Sequence, residues 1–423
     1  MKLTRITRFW VILMIAIGFP LTASATDPRD YRFPREPGTT VGGYPLPLTG
    51  KVLTKTPVVV KNRDAKLKKY PKIYYPGEEA LAANEMRIIC IGSGNPPIRR
   101  GQAATGWAVE LGNGDKFVFD AGGGTIGNLW SLDVSPAEFD KLFVTHLHLD
   151  HVGGIFPLFD AMGWSRNVPL QVWGPSGYTK DQGTAAFVGY VQKASKWHVE
   201  SKRGIAASDG MTLVAHEFDY SKFSEDNPRQ LIYDKSGVKI YAFPLLHVIY
   251  GSVGYRLEWN GLSMAFTGDS EPSVLEAEQS KNVDVFIHEA FITAESFAEK
   301  NNMPLEIAEN IVYGAHTTPD QLGQVFEIAK PTLGVATHYF QDDDLIDPFF
   351  DGVLQNYGGP VVLAQDLMVI NVTSEQIVTR MAMTDMLSWA APAPKTESEP
   401  TMDALSKAKR SDWVTKTRIE RKK

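Results

Sequence analysis

The chain has 423 residues, of which 43% are hydrophobic and 22% charged, with a formal net charge of −6 and a single cysteine. That length and apolar content suffice to bury one large core or two fused halves, and one cysteine excludes an internal disulfide framework. An acidic balance with no obvious basic face speaks against a polyanionic partner, so no nucleic-acid partner is expected.

The first 25 residues read as a secretory leader. Lys2, Arg5 and Arg8 precede the apolar run Phe9–Phe19, and Ala23-Ser24-Ala25 is a small-x-small cleavage site. The apolar run is shorter than the roughly 20 residues a membrane span needs, so cleavage near Ala25 is favoured over a retained anchor. The expected location is periplasmic or secreted, with no membrane attachment after cleavage.

Residues 26–85 are rich in Pro, Gly and Lys and read as an extended segment lying over a domain. From Met86 the texture changes to short apolar runs alternating with helical patterns. The runs are Met86–Gly92, Gly106–Leu111, Lys116–Asp120, Lys141–Thr145 and Leu170–Trp173, followed by an amphipathic stretch near Tyr178–Trp197. The theme repeats with Met211–Ala215, Val238–Ala242, Ser252–Glu258, Ser263–Thr267, Val283–Ile287 and Thr332–Thr337, and Thr318-Pro319-Asp320 reads as a helix start. The expected fold class is α/β or α+β with two sheet-rich halves over residues 86–390. Residues 391–423 form a charged tail that reads as disordered or as a lone helix. Cys90 falls inside a strand-like run and reads as a small buried hydrophobe. Oligomeric state is not legible in the sequence.

The chemistry concentrates at Thr145–Gly154, Thr-His-Leu-His-Leu-Asp-His-Val-Gly-Gly. His146, His148, Asp150 and His151 fall within six positions at the tip of a strand, more ligands than one ion can use while keeping a position open for a reactant. A dinuclear centre is the reading. The remaining histidines strengthen it by where they fall: His247 in Phe-Pro-Leu-Leu-His, His288 in Val-Phe-Ile-His-Glu-Ala, His316 in Gly-Ala-His-Thr-Thr-Pro and His338 in Val-Ala-Thr-His-Tyr all end apolar runs or open a helix. Asp269, in Ala-Phe-Thr-Gly-Asp, ends another. His198 and His216 lack such a context.

In this order the motifs resemble the metallo-β-lactamase superfamily of metal-dependent hydrolases, and within it the branch of ribonuclease Z and the periplasmic arylsulfatases. The resemblance covers about residues 86–377. It implies a four-layer αββα sandwich with the metals at one edge of two facing sheets. It also implies that His146, His148 and His247 hold one ion, that Asp150, His151 and His338 hold the other, and that Asp269 bridges them. Zn²⁺ suits these donors best, with Mn²⁺ or Fe as alternatives. Glu289 or Asp120 is a candidate to accept the second N–H of a ligand histidine. Two ions lower the pKa of a shared water, Asp150 would orient it or take its proton, and His316 would donate to the leaving or developing oxyanion, its alternative role being to cap the helix near Thr318.

Ribonuclease Z members carry a tRNA-gripping insertion between the third-histidine motif and the bridging aspartate, and here Gly254–Phe266 runs straight into Thr267-Gly268-Asp269. With the leader and the acidic charge, that points to hydrolysis of a small ester, in the manner of an arylsulfatase or phosphodiesterase. A lactonase or carboxyl-ester hydrolase, and a metal-binding protein without turnover, are the alternatives. Phe156, Phe159, Trp164, Trp173, Tyr178, Phe187, Tyr190 and Trp197 are candidates to wall an apolar pocket, and Asp342, Asp343 and Asp344 would disfavour a multiply anionic substrate if they faced the metals.

Overall fold

The computed structural model describes residues 40–41, 44–45, 52–96, 99–135, 138–165, 168–202, 209–385, 388 and 411–419. The leader read over 1–25 and most of the charged tail lie outside the described residues; within the tail, Asp412–Thr415 forms one helical turn with no buried residue. Among the described residues no helix is long and apolar enough to cross a membrane.

Strands β1 (Met86–Gly92), β2 (Gly106–Leu111), β3 (Lys116–Ala121), β4 (Lys141–Phe143), β5 (Leu170–Pro175) and β6 (Leu213–Phe218) form most of the first sheet. The second is built from β7 (Gln230–Lys235), β8 (Val238–Pro244), β9 (Val253–Trp259), β10 (Leu262–Phe266), β11 (Val285–Glu289), β12 (Leu333–Thr337) and β13 (Val361–Leu363). The chain then returns to the first sheet with β14 (Met368–Val372) and β15 (Gln376–Ala382), so that its order is β6-β5-β4-β3-β2-β1-β14-β15. In the second sheet the order follows the chain from β7 to β13. Each sheet joins an antiparallel meander to a parallel run, β3 to β6 in the first and β10 to β13 in the second.

Side-chain alternation explains the layering. Met86, Ile88 and Cys90 of β1 point into a core shared with Met264 and Phe266 of β10 and Val285 and Ile287 of β11. Ile89 and Ile91 of β1 point the other way, onto helices carrying Ile126, Leu129, Val152, Ile155 and Leu158. Phe286 of β11 likewise turns outward, onto Leu322, Phe326 and Phe349. Both faces of each sheet are therefore covered, which is why the central strands read as unbroken apolar runs. The arrangement is the αββα sandwich. Burial raises the Cys90 thiol well above its ordinary pKa, consistent with its reading as an inert hydrophobe.

Part of the segment preceding β1 closes one edge of each sheet, where a strand otherwise presents unpaired backbone groups. Leu53–Thr54 pairs with β13, while Val58–Val60 and Ile73–Tyr74 pair with β15. Buried ion pairs and hydrogen bonds hold it there. Arg380, 2% exposed, makes two 2.6 Å bonds to Glu79, and Glu85 accepts from Lys68, Tyr70 and Asn371 at 2.6, 2.8 and 2.6 Å.

Candidate metal centre

The candidate ligands lie in loops, at strand ends or in one short helix along one edge of the two sheets. His146 and His148 follow β4, and Asp150 and His151 fall in the short helix Leu149–Val152. His247 follows β8, Asp269 follows β10 and His338 follows β12. The loop after β4 is tied to the other sheet: Val253 N–H donates to the Thr145 carbonyl at 3.1 Å, and the Tyr255 hydroxyl donates to that of Val144. Beneath it, Phe143 stacks on Trp173 with ring centroids 4.8 Å apart. Two residues of the site carry left-handed backbone without being glycine, Asp120 at φ 53° and His338 at φ 63°. Each is compensated by hydrogen bonds, which is how such strain is held at a functional site.

Seven predicted ligand residues converge into two groups that share Asp269. In the first, His148 Nδ1 lies 3.0 Å from His146 Nε2 and 3.3 Å from His247 Nε2. Asp269 Oδ2 stands 3.9 Å from His146 Nε2 and 3.8 Å from His247 Nε2. In the second, His151 Nε2 is 3.4 Å from Asp150 Oδ2 and 3.1 Å from Asp269 Oδ1, and His338 Nε2 is 3.2 and 3.3 Å from the same two oxygens. Donor atoms about 2.0–2.1 Å from a tetrahedral ion are separated by about 3.4 Å. The observed spacings suit that polyhedron, and the two Asp269 oxygens face different groups.

The outer ring nitrogens are engaged as a ligand site requires. Asp120 accepts from His151 Nδ1 at 2.7 Å and also binds the Thr145 N–H and hydroxyl. His247 Nδ1 donates to the Ala315 carbonyl at 2.9 Å, and His146 Nδ1 lies 3.1 Å from the Thr145 hydroxyl. These bonds leave Nε2 of His146, His151 and His247 for the centre. His338 is positioned through its backbone, whose N–H donates to the Ser93 carbonyl; Ser93 in turn donates its own N–H and hydroxyl to the buried Asp366.

Charge and desolvation make the same point. Buried His151 Nε2 and Asp269 Oδ1 lack hydrogen-bond partners, a costly state unless something else binds them. Burial disfavours a charged Asp269, but His338, His151 and His146 outweigh it and hold the carboxylate well below its ordinary value. Burial likewise opposes protonation of His151, and Asp269, Asp120 and Asp150 together push it well above. Three carboxylates around one imidazole are an anionic pocket that a divalent cation neutralises. The residues fit the metals.

His316 stands beside this centre. Its Nδ1 lies 2.9 Å from Glu289 Oε1, and its ring stacks on Phe291 with centroids 4.5 Å apart and planes 11° from parallel. Burial works against protonation of His316, but the Glu289 carboxylate overrides it and carries the imidazole to about 9. Capping of the helix Pro319–Ala329 is done by Thr318 and Gln321 instead. His288 is not brought to the centre. Its Nδ1 donates to the Glu289 carbonyl, its Nε2 lies 3.4 Å from Glu276, and its ring packs against Phe286 and Phe326.

Of the aromatic candidates, Tyr178, Phe187 and Tyr190 line a cavity beside His146, whereas Phe159 and Trp173 are buried in cores and Trp197 is 86% exposed. The side chain of Trp164 lies outside the described residues. Tyr250 and Val248 also line the cavity, and no periodic signal in the sequence marks them. Asp342 and Asp344 pair with Lys300, and Asp342 also with Arg99, so these carboxylates face cations.

Residues 100–191 match the metallo-beta-lactamase superfamily. Ribonuclease Z of Methanothermobacter thermautotrophicus is 23% identical over 311 residues, covering 68% of this chain and 97% of that protein. Ribonuclease Z of Archaeoglobus fulgidus is 25% identical, covering 63% and 92%. Among solved structures, human tRNase Z, short form, aligns at 20% identity with a TM-score of 0.49 over 67% of this chain and 98% of that one. The two ribonuclease Z relatives correct two expectations, a small ester substrate and the exclusion of nucleic acid. Net charge sums over the whole surface, whereas a phosphodiester is bound locally, and there cations held by the ligand residues would supply the positive charge. The chain carries a metallo-β-lactamase superfamily domain and is a metal-dependent hydrolase.

Proposed function

We propose that the domain hydrolyses phosphodiester bonds in RNA, as a ribonuclease Z-like endonuclease loaded with two Zn²⁺ ions. The observation that carries the reading is the match to ribonuclease Z across 97% of the Methanothermobacter protein's length. The division of seven ligands about Asp269 supports it, since in-line displacement at phosphorus suits a paired-ion site.

His146, His148 and His247 would hold one ion, Asp150, His151 and His338 the other, with Asp269 between them. Bound there, the ions supply an acidified water and an anchor for the phosphoryl oxygens. Asp150 Oδ2, within 3.4 Å of His151 Nε2 and 3.2 Å of His338 Nε2, orients the attacking water and accepts its proton. His316 donates from Nδ1 to Glu289, and its Nε2 holds a proton for the leaving oxygen. Phe291 and Glu289 fix the plane of that ring, so the donor is preorganised.

The β9–β10 hairpin closes through Asn260–Gly261, both at positive φ, 50° and 74°. This tight turn provides no gripping arm, so the substrate is held by surfaces nearer the centre. The test is incubation of the Zn²⁺-loaded protein with a 3′-extended tRNA precursor and with unstructured RNA. Products ending in 3′-hydroxyl and 5′-phosphate are expected, lost in Asp269→Ala. Intact RNA, or 2′,3′-cyclic phosphate ends that persist in the variant, would overturn the proposal. Export is a separate proposal, tested by N-terminal sequencing with Thr26 as the expected first residue.

A further inference from the structure

Next to His146 lies a cavity of about 460 Å³ whose walls are mostly aromatic and apolar. Tyr178, Tyr190 and Tyr250 present their rings there while remaining 78%, 51% and 45% exposed. Exposed aromatic surface gathered around a concavity marks a binding site more often than chance packing. The lining contains no lysine or arginine and one carboxylate, Asp181, so it is poorly suited to a phosphate and well suited to a flat, uncharged group.

The site is built rather than incidental. Tyr178 meets Tyr250 edge-on with centroids 5.6 Å apart, and Tyr250 is backed by Tyr220 at 4.8 Å, which in turn packs on Phe223 at 5.5 Å. The Tyr250 ring is thus held edge-on between Tyr178 and Tyr220 at the wall of this cavity. Its loop approaches the opposite wall through Gly251, at φ +97°, where a Cβ would lie 2.8 Å from the Ser176 carbonyl. Gly183, at φ +81°, closes the same floor, where a Cβ would lie 2.3 Å from the Gly177 nitrogen. Neither position accepts a side chain without moving backbone, so the loops that carry Tyr178 and Tyr250 are locked together.

We infer that this cavity is a stacking subsite for a nucleobase adjoining the scissile phosphate of a single-stranded RNA segment, with Tyr250 as its platform and Tyr178 beside it; the inference rests on the ribonuclease reading. A phosphodiester at the centre carries a nucleoside on each side, and one side opens onto these rings because His146 belongs to both the cavity and the ligand set. Every base has a π-face, so the platform grips the strand without demanding a sequence. Asp181, Gln182 and Ser176 at the wall offer polar groups to a base edge.

The test uses the full, Zn²⁺-loaded chain and RNA in which a single abasic nucleotide is moved through the four positions around the cleavage site. At one position the abasic RNA is expected to raise KM on the order of tenfold. Tyr250→Ala with intact RNA should show the same loss, with no further loss on that abasic RNA. Tyr250→Phe should retain wild-type KM, and Trp197→Ala should behave as wild type. Multiplying effects of the abasic site and Tyr250→Ala, or no effect of either, would overturn the subsite while leaving RNA hydrolysis intact. Fluorescence anisotropy with the same oligonucleotides and EDTA-treated protein, its fold checked by circular dichroism, separates the two ideas. Base-dependent binding without any cleavage would retain the subsite and reject the hydrolytic reading.

Discussion

Asp120 and His151 are joined by a 2.7 Å hydrogen bond at a point where neither side chain reaches solvent. Asp120 adopts left-handed backbone to make it and uses both oxygens on the loop that carries the ligands, accepting from Thr145 N–H, Thr145 hydroxyl and His151. The bond fixes the tautomer of His151 that leaves Nε2 for an ion.

Asp120→Asn therefore tests the outer support of the second ion. An amide cannot accept at both positions, so either Thr145 or His151 loses its partner. Zinc affinity at the Asp150–His151–His338 side is expected to fall about 10- to 100-fold, with the first ion retained. Competition titration with a chromophoric chelator reads this directly, and two sites of unchanged affinity would disprove the role given to Asp120.

His316→Ala removes the proton donor while leaving all seven ligands in place. The expected result is a fall in kcat of roughly 10²–10⁴-fold with little change in KM, the signature of a group that acts on the transition state. Bound metal should stay at the wild-type level. Glu289→Gln should lower kcat less and shift the basic limb of its pH profile downward, because the carboxylate is what raises His316 to about 9.

Gly122→Ala probes how tightly β3 is packed on the ligand helix. A Cβ at position 122 would lie 1.9 Å from the Asp150 backbone oxygen and 2.7 Å from Ala104 Cβ. Backbone cannot step aside as a flexible side chain does, so a destabilisation of about 1–3 kcal/mol is expected. Metal content should fall with it, since Asp150 is displaced. Thermal unfolding with and without EDTA separates the two effects.

Acid should loosen the segment that precedes β1. Burial alone would raise Glu85, but Lys68, Tyr70 and Asn371 outweigh it and hold its pKa below the ordinary 4.5. A lowered folded pKa means the stabilisation is complete above the unfolded value and is lost as pH falls through the folded one. Wild-type stability should therefore drop more steeply than that of Glu85→Gln between about pH 5 and pH 3. Parallel curves by chemical denaturation would show that Glu85 contributes nothing pH-dependent.

Read alone, the chain makes the layered fold and the cluster after Val144 legible, because both are local signals. Apolar runs such as Met86–Gly92 declare strands that need cover on both faces, and four ligating side chains within six residues need no tertiary contact to be noticed. His247, Asp269 and His338 were reachable through family resemblance, since no spacing joins residues that lie some 100 to 190 positions from the cluster. Their convergence depends on the two sheets aligning their strand ends, which only packing of the shared core accomplishes. The same holds for His288, equivalent to His247 as text, yet turned onto Glu276 because its side of β11 faces the helical layer. Net charge misled on the substrate for a related reason: it is a sum, whereas the carboxylates at 120, 150 and 269 act at one point, and which cation or strand they favour depends on how the fold gathers them.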